Sequence, residues 1–324
     1  MARTIALRLL QGVVVVYVVV TLTYVTLQLA PGDPFRRTMD QQRVSLEDRA
    51  RWLAERGLDD PIPVQYGRYL LGLARGDLGR SFVDSRPVRD ILLEAIPNTL
   101  LLAVAALIVD FTVGIGIGVV QGTRPGSRRD DALSIVTLTL YSMPVFWLGI
   151  ILVMFVALPI DWIPTGGARD PILFGRQSLL DVVIDRLRHL LLPGLTLGLV
   201  GAASTARYQR AALLDALHQD YVRAARARGL RERAVVLRHA LRTSLLPVIA
   251  LFGMSLPLLL SGAVLVEQVF GWHGMGWVAV DAIAKRDYQV VTGAAILAAV
   301  MVVVGNLVAD LLTQIADPRT REAS

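Results

Sequence analysis

This chain has no cysteine, which excludes disulfides, thiol catalysis and Cys-ligated metal sites. Lysine is nearly as scarce: of 33 basic residues only Lys285, in "AIAKRD", is not an arginine. A phosphate-cradling loop of the form GxxxxGK(S/T) needs a lysine directly after glycine. The chain therefore has no Walker-type nucleotide site, and any ATP-driven work depends on another chain. Histidine is limited to His189, His218, His239 and His273, scattered without metal-ligand spacing. Charge is thin as well, at 19% of residues against about 25% in a soluble domain.

Apolar residues fill the rest. They make up 54% of the chain, come in long unbroken blocks, and give a mean hydropathy of +0.54. This is the composition of an all-α polytopic membrane protein. A bilayer-crossing helix needs about 20 predominantly apolar residues. Six candidate transmembrane helices meet that length, at approximately 9–30, 98–121, 132–158, 189–213, 243–265 and 289–315. The first follows Arg3 and Arg8, as a signal peptide would, but its run exceeds a signal core and no A-x-A-like site follows, so it is expected to be retained.

Charge orients these spans through the excess of arginine and lysine in cytoplasmic loops. The loop 207–242 holds nine arginines against three acids, and "TRPGSRRDD" holds three against two. By contrast 33–97 has eleven of each sign, 159–188 four of each, and 266–288 two basic against three acidic residues. Both termini, 122–131 and 207–242 are thus expected in the cytoplasm. Segment 32–97 becomes the one sizeable external region, with a helix start at Ser45–Asp48, helical spacing of Tyr66, Tyr69, Leu70 and Leu73, and a short amphipathic helix in "RPVRDILLEAIP".

The stretch "DYVRAARARGLRERAVVLRHALRTSLLP", 220–247, holds seven arginines against two acids. Generic positive-inside charge, an anionic-lipid or nucleic-acid patch, and a docking helix for a cytoplasmic partner are three readings of it. No aromatic platform is interleaved with the arginines, which argues against nucleic acid. On a helix Tyr221, Ala224, Ala225 and Arg228 share a small face, flanked by Arg223 and Arg226. Gly229 is placed to end that helix, and a second restarts near Arg231 and feeds the fifth span. This is a lever geometry.

Other residues stand out within the apolar blocks. Asp110 is a mid-span acid, costly enough to suggest a role in proton coupling or an inter-helix hydrogen bond to a Ser or Thr. Gly114, Gly116, Gly118 and Gly122 read as small-residue helix packing. Pro247, Gly253, Pro257, Ser255, Ser261 and Gly262 would loosen the fifth span and line a polar path, or simply pack. Glu267, just outside that span, is a candidate gate, with Phe270, Trp272 and Trp277 as interfacial anchors. Asn306 and Asp310 share a face and are expected to fix packing or the tail, and Asp317, Pro318 and Arg319 to order the tail.

Several stretches in order carry a resemblance: "LAPGDPF", "GLDDPIPVQYGRYLLGLARGDLGRSF", "RPVRDILLEAIPNTLLLA", "ARYQRAALLDAL", "DYVRAARARGL", "LRHALRTSLLPVI", "SGAVLVEQVFGWHGMGWVAVDAIAKRDYQVV" and "NLVADLLTQIADPRTR". Together they resemble the permeases of binding-protein-dependent ABC importers, in the DppB/OppB-type peptide branch. With the glycine of the family's EAA loop on Gly229, its alanines fall on Ala224 and Ala225 and its glutamate position on Arg223.

The resemblance implies a type I-like importer permease that is not itself an enzyme and holds no cofactor. Its expected partners are a homologous second permease, two cytoplasmic ATPase domains carrying ATP and Mg, an external peptide-binding protein and membrane lipid, with no nucleic acid. It divides the chain into an N-terminal end and first span (1–31), an external helical segment (32–97), a five-span core (98–316) with coupling loop 207–242, and a cytoplasmic tail (317–324). The ATPase-coupling residues would be Asp220, Tyr221, Arg223, Ala224, Ala225, Arg226, Arg228 and Gly229. Asp110, Ser255, Ser261, Gly262 and Glu267 would belong to the pathway or gate. Nickel chelates or glutathione-like peptides are alternative substrates. A proton-coupled secondary transporter using Asp110 and a membrane anchor without transport are the alternative classes.

Overall fold

The computed structural model describes residues 2–29, 60–170, 178–260 and 263–316. The expected helix start at Ser45–Asp48, Ser261, Gly262 and the tail residues Asp317, Pro318 and Arg319 lie outside them. The described residues are mostly helical, in the order α1 (Ala2–Leu29), α2 (Ile62–Ala74), α3 (Val88–Thr123), α4 (Arg128–Ser142), α5 (Val145–Leu152, continued by a π-helical turn Val153–Ala157) and α6 (Leu179–Leu217). Then come α7 (Asp220–Ala227), α8 (Glu232–Ala234, widening into a π-helical turn Val235–Ala240), α9 (Leu241–Leu260), α10 (Val264–Val269), α11 (Met275–Lys285) and α12 (Tyr288–Ala316). Among the described residues five helical stretches are long and apolar enough to cross a membrane, and α4 with α5 makes a sixth if the bent pair is one span.

That sixth span departs from the straight helix expected over 132–158. The axis turns by 109° between α4 and α5. Pro144 has no N–H for the carbonyl of Leu140, and it drives Met143 before it into the extended region, φ −84° and ψ 131°. The opposite departure occurs at Pro97. "RPVRDILLEAIP" is not a separate helix but the first turns of the 36-residue α3, which runs through the proline. Val88 and Leu92 are fully buried with Val290 and Ala294 before Pro97, and Thr99 and Leu102 are buried after it. Packing on both sides outweighs the roughly 3 kcal/mol that an interior proline costs.

The centre of the bundle is the α3–α6 pair, drawn together by glycines on both helices. A Cβ on Gly118 would lie 2.6 Å from the Ala206 carbonyl oxygen, and one on Gly114 2.9 Å from that of Ala202. From the other side, a Cβ on Gly198 would sit 2.5 Å from Val109 Cβ. Gly122 faces Leu213, whereas Gly116 points into open space. This is the close backbone approach that small residues permit where lipid supplies no hydrophobic drive between helices. Gly118→Leu is expected to destabilise the subunit by about 1–3 kcal/mol through overpacking, read as a lower Tm in detergent. Gly116→Leu should leave the Tm unchanged, and equal effects from the two would refute the zipper.

The other elements wrap this pair. α1 lies on α12, with Gly12 against Val303 and Arg8 Nε 3.1 Å from Asp310 Oδ2. Asn306 is exposed and takes no part in that tie. α2 rests on the far end of α1 through Tyr66, whose hydroxyl is 2.6 Å from Thr21 Oγ1, and through the Tyr24 and Tyr69 rings, stacked at 5.6 Å. The segment between α2 and α3 is pinned to the α11–α12 turn by the buried Asp287, which accepts from the Ser81 hydroxyl and from Phe82 N–H at 3.1 Å.

Candidate functional site

The basic stretch forms a short platform at one end of the bundle. Gln219 precedes α7 in the extended region, and Gly229, at φ +78°, ends it. Gly229 N–H bonds Arg226 O at 2.9 Å and Leu230 N–H reaches Ala225 O at 3.4 Å, the paired closure that a left-handed glycine allows. α7 is held from beneath by Val222 and Ala225, both fully buried, in a cluster with Leu213 and Ala216 of α6 and with Val235 and Ala240.

Ala225 therefore leaves the small outward face expected of it: it packs inward and serves as an anchor. Tyr221, Ala224 and Arg228 remain exposed on the outer side, with Asp220, Arg223 and Arg226 around them. Val222, which sequence reasoning passed over, is the second anchor. Its signal was an apolar residue three before Ala225 in an otherwise charged turn. Arg226 forks onto Glu232, with Nη2 to Oε1 at 2.6 Å and Nε to Oε2 at 3.1 Å, while Arg223 Nη2 lies 3.0 Å from Asp220. Such exposed pairs contribute little stability, but the Arg226 fork fixes the angle between α7 and α8.

Two polar ties lie next to the platform, and sequence reasoning missed both. Asp130, counted above as a loop charge, is buried and takes a bidentate grip from Arg210 of α6, with Nε to Oδ1 at 3.0 Å and Nη2 to Oδ2 at 2.8 Å. Gly126 N–H adds a bond at 3.0 Å. Buried Gln209 donates to Ser244 Oγ at 2.8 Å, joining α6 to α9. α7 is thus in contact with α6, and α6 is tied in turn to α4 and α9.

The two acids expected on a pathway or gate take hydrogen bonds within the chain's own packing. Asp110 sits in the α3–α6 interface, where Thr205 Oγ1 donates to Oδ1 at 2.7 Å and a Cβ on Gly201 would collide with the carboxylate. This is the inter-helix hydrogen bond of the two readings open in sequence. Glu267 of α10 is fully buried. Its Oε1 accepts from Thr99 Oγ1 at 2.9 Å and its Oε2 from Trp277 N–H at 2.8 Å, in the first turn of α11. Thr99 Oγ1 in turn accepts from Met275 N–H at 2.8 Å.

A buried carboxylate thus serves as the N-terminal cap of α11, where the helix dipole favours negative charge. Burial pushes its pKa above the usual carboxylate range, and the Trp277 N–H and Thr99 hydroxyl pull it back. Phe270 and Trp272 are not interfacial anchors: both are buried. Trp272 Nε1 donates to Asn98 O at 2.9 Å, and the Phe270 carbonyl accepts from Gly167 N–H at 2.7 Å. Ser255 is half-buried on α9. No group of three or more potential metal ligands occurs among the described residues.

Comparison with known proteins covers nearly the whole chain. Residues 114–322 match the family described as "Binding-protein-dependent transport system inner membrane component", and residues 1–103 its N-terminal counterpart. The chain is 38% identical over 320 residues to the oligopeptide transport system permease protein AppB of Bacillus subtilis (strain 168), covering 98% of this chain and 99% of that one. It is 40% identical over 316 residues to the di/tripeptide transport system permease protein DppB of Pseudomonas aeruginosa (strain UCBPP-PA14), covering 94% of each. Against the dipeptide transport system permease protein DppB of Escherichia coli (strain K12) the identity is 37% over 331 residues, 97% of this chain and 98% of that one.

Proposed function

Because this chain belongs to the binding-protein-dependent transport system inner membrane component family, we propose that it is one half of a peptide pathway opened and closed by ATPases docked beneath α7. The observation that carries this is the platform itself. A short cationic helix is clamped to α6 and α8 by Val222 and Ala225, and its outer face of Tyr221, Ala224 and Arg228 is left open.

The Arg210–Asp130 and Gln209–Ser244 ties extend that clamp into α4 and α9. A displacement of α7 by a partner therefore tilts spans rather than bending a loop. The arginine excess of 207–242 supports a cytoplasmic platform, where ATP is available, and with no Walker-type loop in this chain hydrolysis would fall to the docked subunits. The opposite end, with α2, α10 and α11, then faces the binding protein. A homologous second permease completes the pathway, and di- or oligopeptides are the cargo, as the names of the relatives suggest for them.

The test is to purify the chain with the subunits it retains and place the complex in liposomes with its binding protein. The expected result is ATP hydrolysis stimulated by the loaded binding protein and ATP-dependent uptake of labelled tripeptide. Retention of no ATPase, or uptake driven by an ion gradient without ATP, would overturn this function.

A further inference from the structure

The break between α4 and α5 interrupts the apolar stretch 132–158. Before it, the Tyr141 ring lies under the Arg207 guanidinium, 4.5 Å from its centroid. After it, Gly149 packs against Thr196. Thr196 lies near the middle of the 39-residue α6 and Arg207 towards its C-terminal end, so the break faces the stretch of α6 between them. Across it Met143 N–H reaches only Leu140 O, at 3.4 Å, Pro144 has no N–H, and α5 sends no backbone N–H to the carbonyls of Tyr141 and Ser142. Backbone left without partners at membrane depth is tolerated only where it is buried in protein or lines a water-filled cavity. Here the break forms the wall of an open groove of about 620 Å³, lined by Leu138, Thr139, Ser142, Met143, Pro144 and Trp147.

We propose that this groove is a binding site for the main chain of the transported peptide. The inference rests on the peptide-permease function above and names where that permease holds its cargo. The lining has no charged side chain but offers the two hydroxyls of Thr139 and Ser142 and the open end of α4. What it lacks is hydrogen-bond donors from outside. A lipid tail has none, and a helix of a second permease has spent its backbone N–H groups internally. An extended peptide carries unspent N–H and C=O groups at every residue, whatever its side chains. Met143, Leu138 and Trp147 supply apolar walls, and the unbranched thioether adapts to differing cargo. Discontinuous helices near the midplane form substrate sites in other transporters by the same logic.

The native chain has no cysteine, so Ser142→Cys or Thr139→Cys would give it a single thiol. The test uses the full complex in liposomes, a membrane-impermeant cationic methanethiosulfonate reagent, and trialanine as the peptide. During ATP turnover both variants are expected to label, and labelling is lost when trialanine and the binding protein are added in excess. Val18→Cys, on the exposed side of α1, serves as the lipid-facing control and stays unlabelled. Reaction only with a lipid-soluble maleimide would put the groove against lipid. A peptide-independent disulfide to the second permease would make it a subunit interface, and labelling untouched by trialanine would make it wet but not a peptide site. Each of these overturns the proposal. If one variant fails to assemble, the other reads the same wall. Trialanine uptake by the unmodified complex is measured in parallel: its absence refutes the peptide function, whereas uptake with any of the three contrary labelling results refutes this site alone.

Discussion

Replacing Ala225 with tryptophan is expected to abolish transport while leaving the subunit in the membrane. The methyl group of Ala225 is fully buried against Leu213, Ala216, Val235 and Ala240, with no space for an indole. Overpacking of this kind costs about 1–3 kcal/mol, occasionally more. α7 is only eight residues long and is held by two anchors, so the strain is relieved by lifting the helix rather than deforming α6. Binding-protein-stimulated ATPase activity and uptake should both fall by about tenfold or more, since each 1.4 kcal/mol of lost docking energy is a factor of ten.

Tyr221→Ala separates the two faces of the helix. It removes an outward side chain without touching the cluster, and should weaken retention of the ATPases while hydrogen exchange within 213–240 stays native. Normal uptake by Ala225→Trp would show that α7 does not transmit the ATPase stroke.

The second large effect is expected at Glu267, far from the platform. Glu267→Ala leaves the Trp277 N–H and the Thr99 hydroxyl without their buried acceptor. Each orphaned group costs about 1–3 kcal/mol, so with the cavity the loss is about 3–5 kcal/mol. The damage should be local, because α10 and α11 are short and joined to α3 through Thr99 and Asn98. Hydrogen exchange over 275–285 should accelerate sharply, with the α3–α6 centre unchanged. Glu267→Gln keeps an oxygen acceptor for one of the two donors and fills the same space, and should cost clearly less. Unchanged exchange in Glu267→Ala would refute the capping role, and equal losses in both variants would mean that the carboxylate itself, which both remove, carries the whole effect and the cavity none of it.

Much of this architecture was legible in sequence because its causes are local. Apolar run length marks each span, and the glycine spacing at 114, 118 and 122 announces a packing stripe. Gly229 after a charged turn announces a helix end, since only a residue without Cβ takes φ +78° without strain. The prolines were ambiguous. Pro97 and Pro144 carry the same local handicap, yet one sits inside a continuous helix and the other at a 109° turn. The difference is the packing on either side, which no window of sequence contains.

Side-chain destinations were the least legible. Asp130 and Arg210 were counted as independent loop charges but neutralise each other across 80 residues of chain. Glu267 and Trp272 were placed at a membrane surface from their neighbours in sequence, whereas Thr99 and Asn98, about 170 residues earlier, enclose them.

The sequence by itself determined that this is a helical membrane protein without a Walker-type loop, where most of its apolar stretches run, and that its basic stretch forms a short helix closed at Gly229. Those follow from composition, period and backbone sterics, which act within a few residues. Only the tertiary structure decided that Ala225 and Val222 face inward, that Glu267 caps a helix, and that the apolar stretch 132–158 is broken by a 109° turn. Each depends on which distant groups occupy the surrounding space, because a buried polar or apolar atom is placed by the partner that satisfies it.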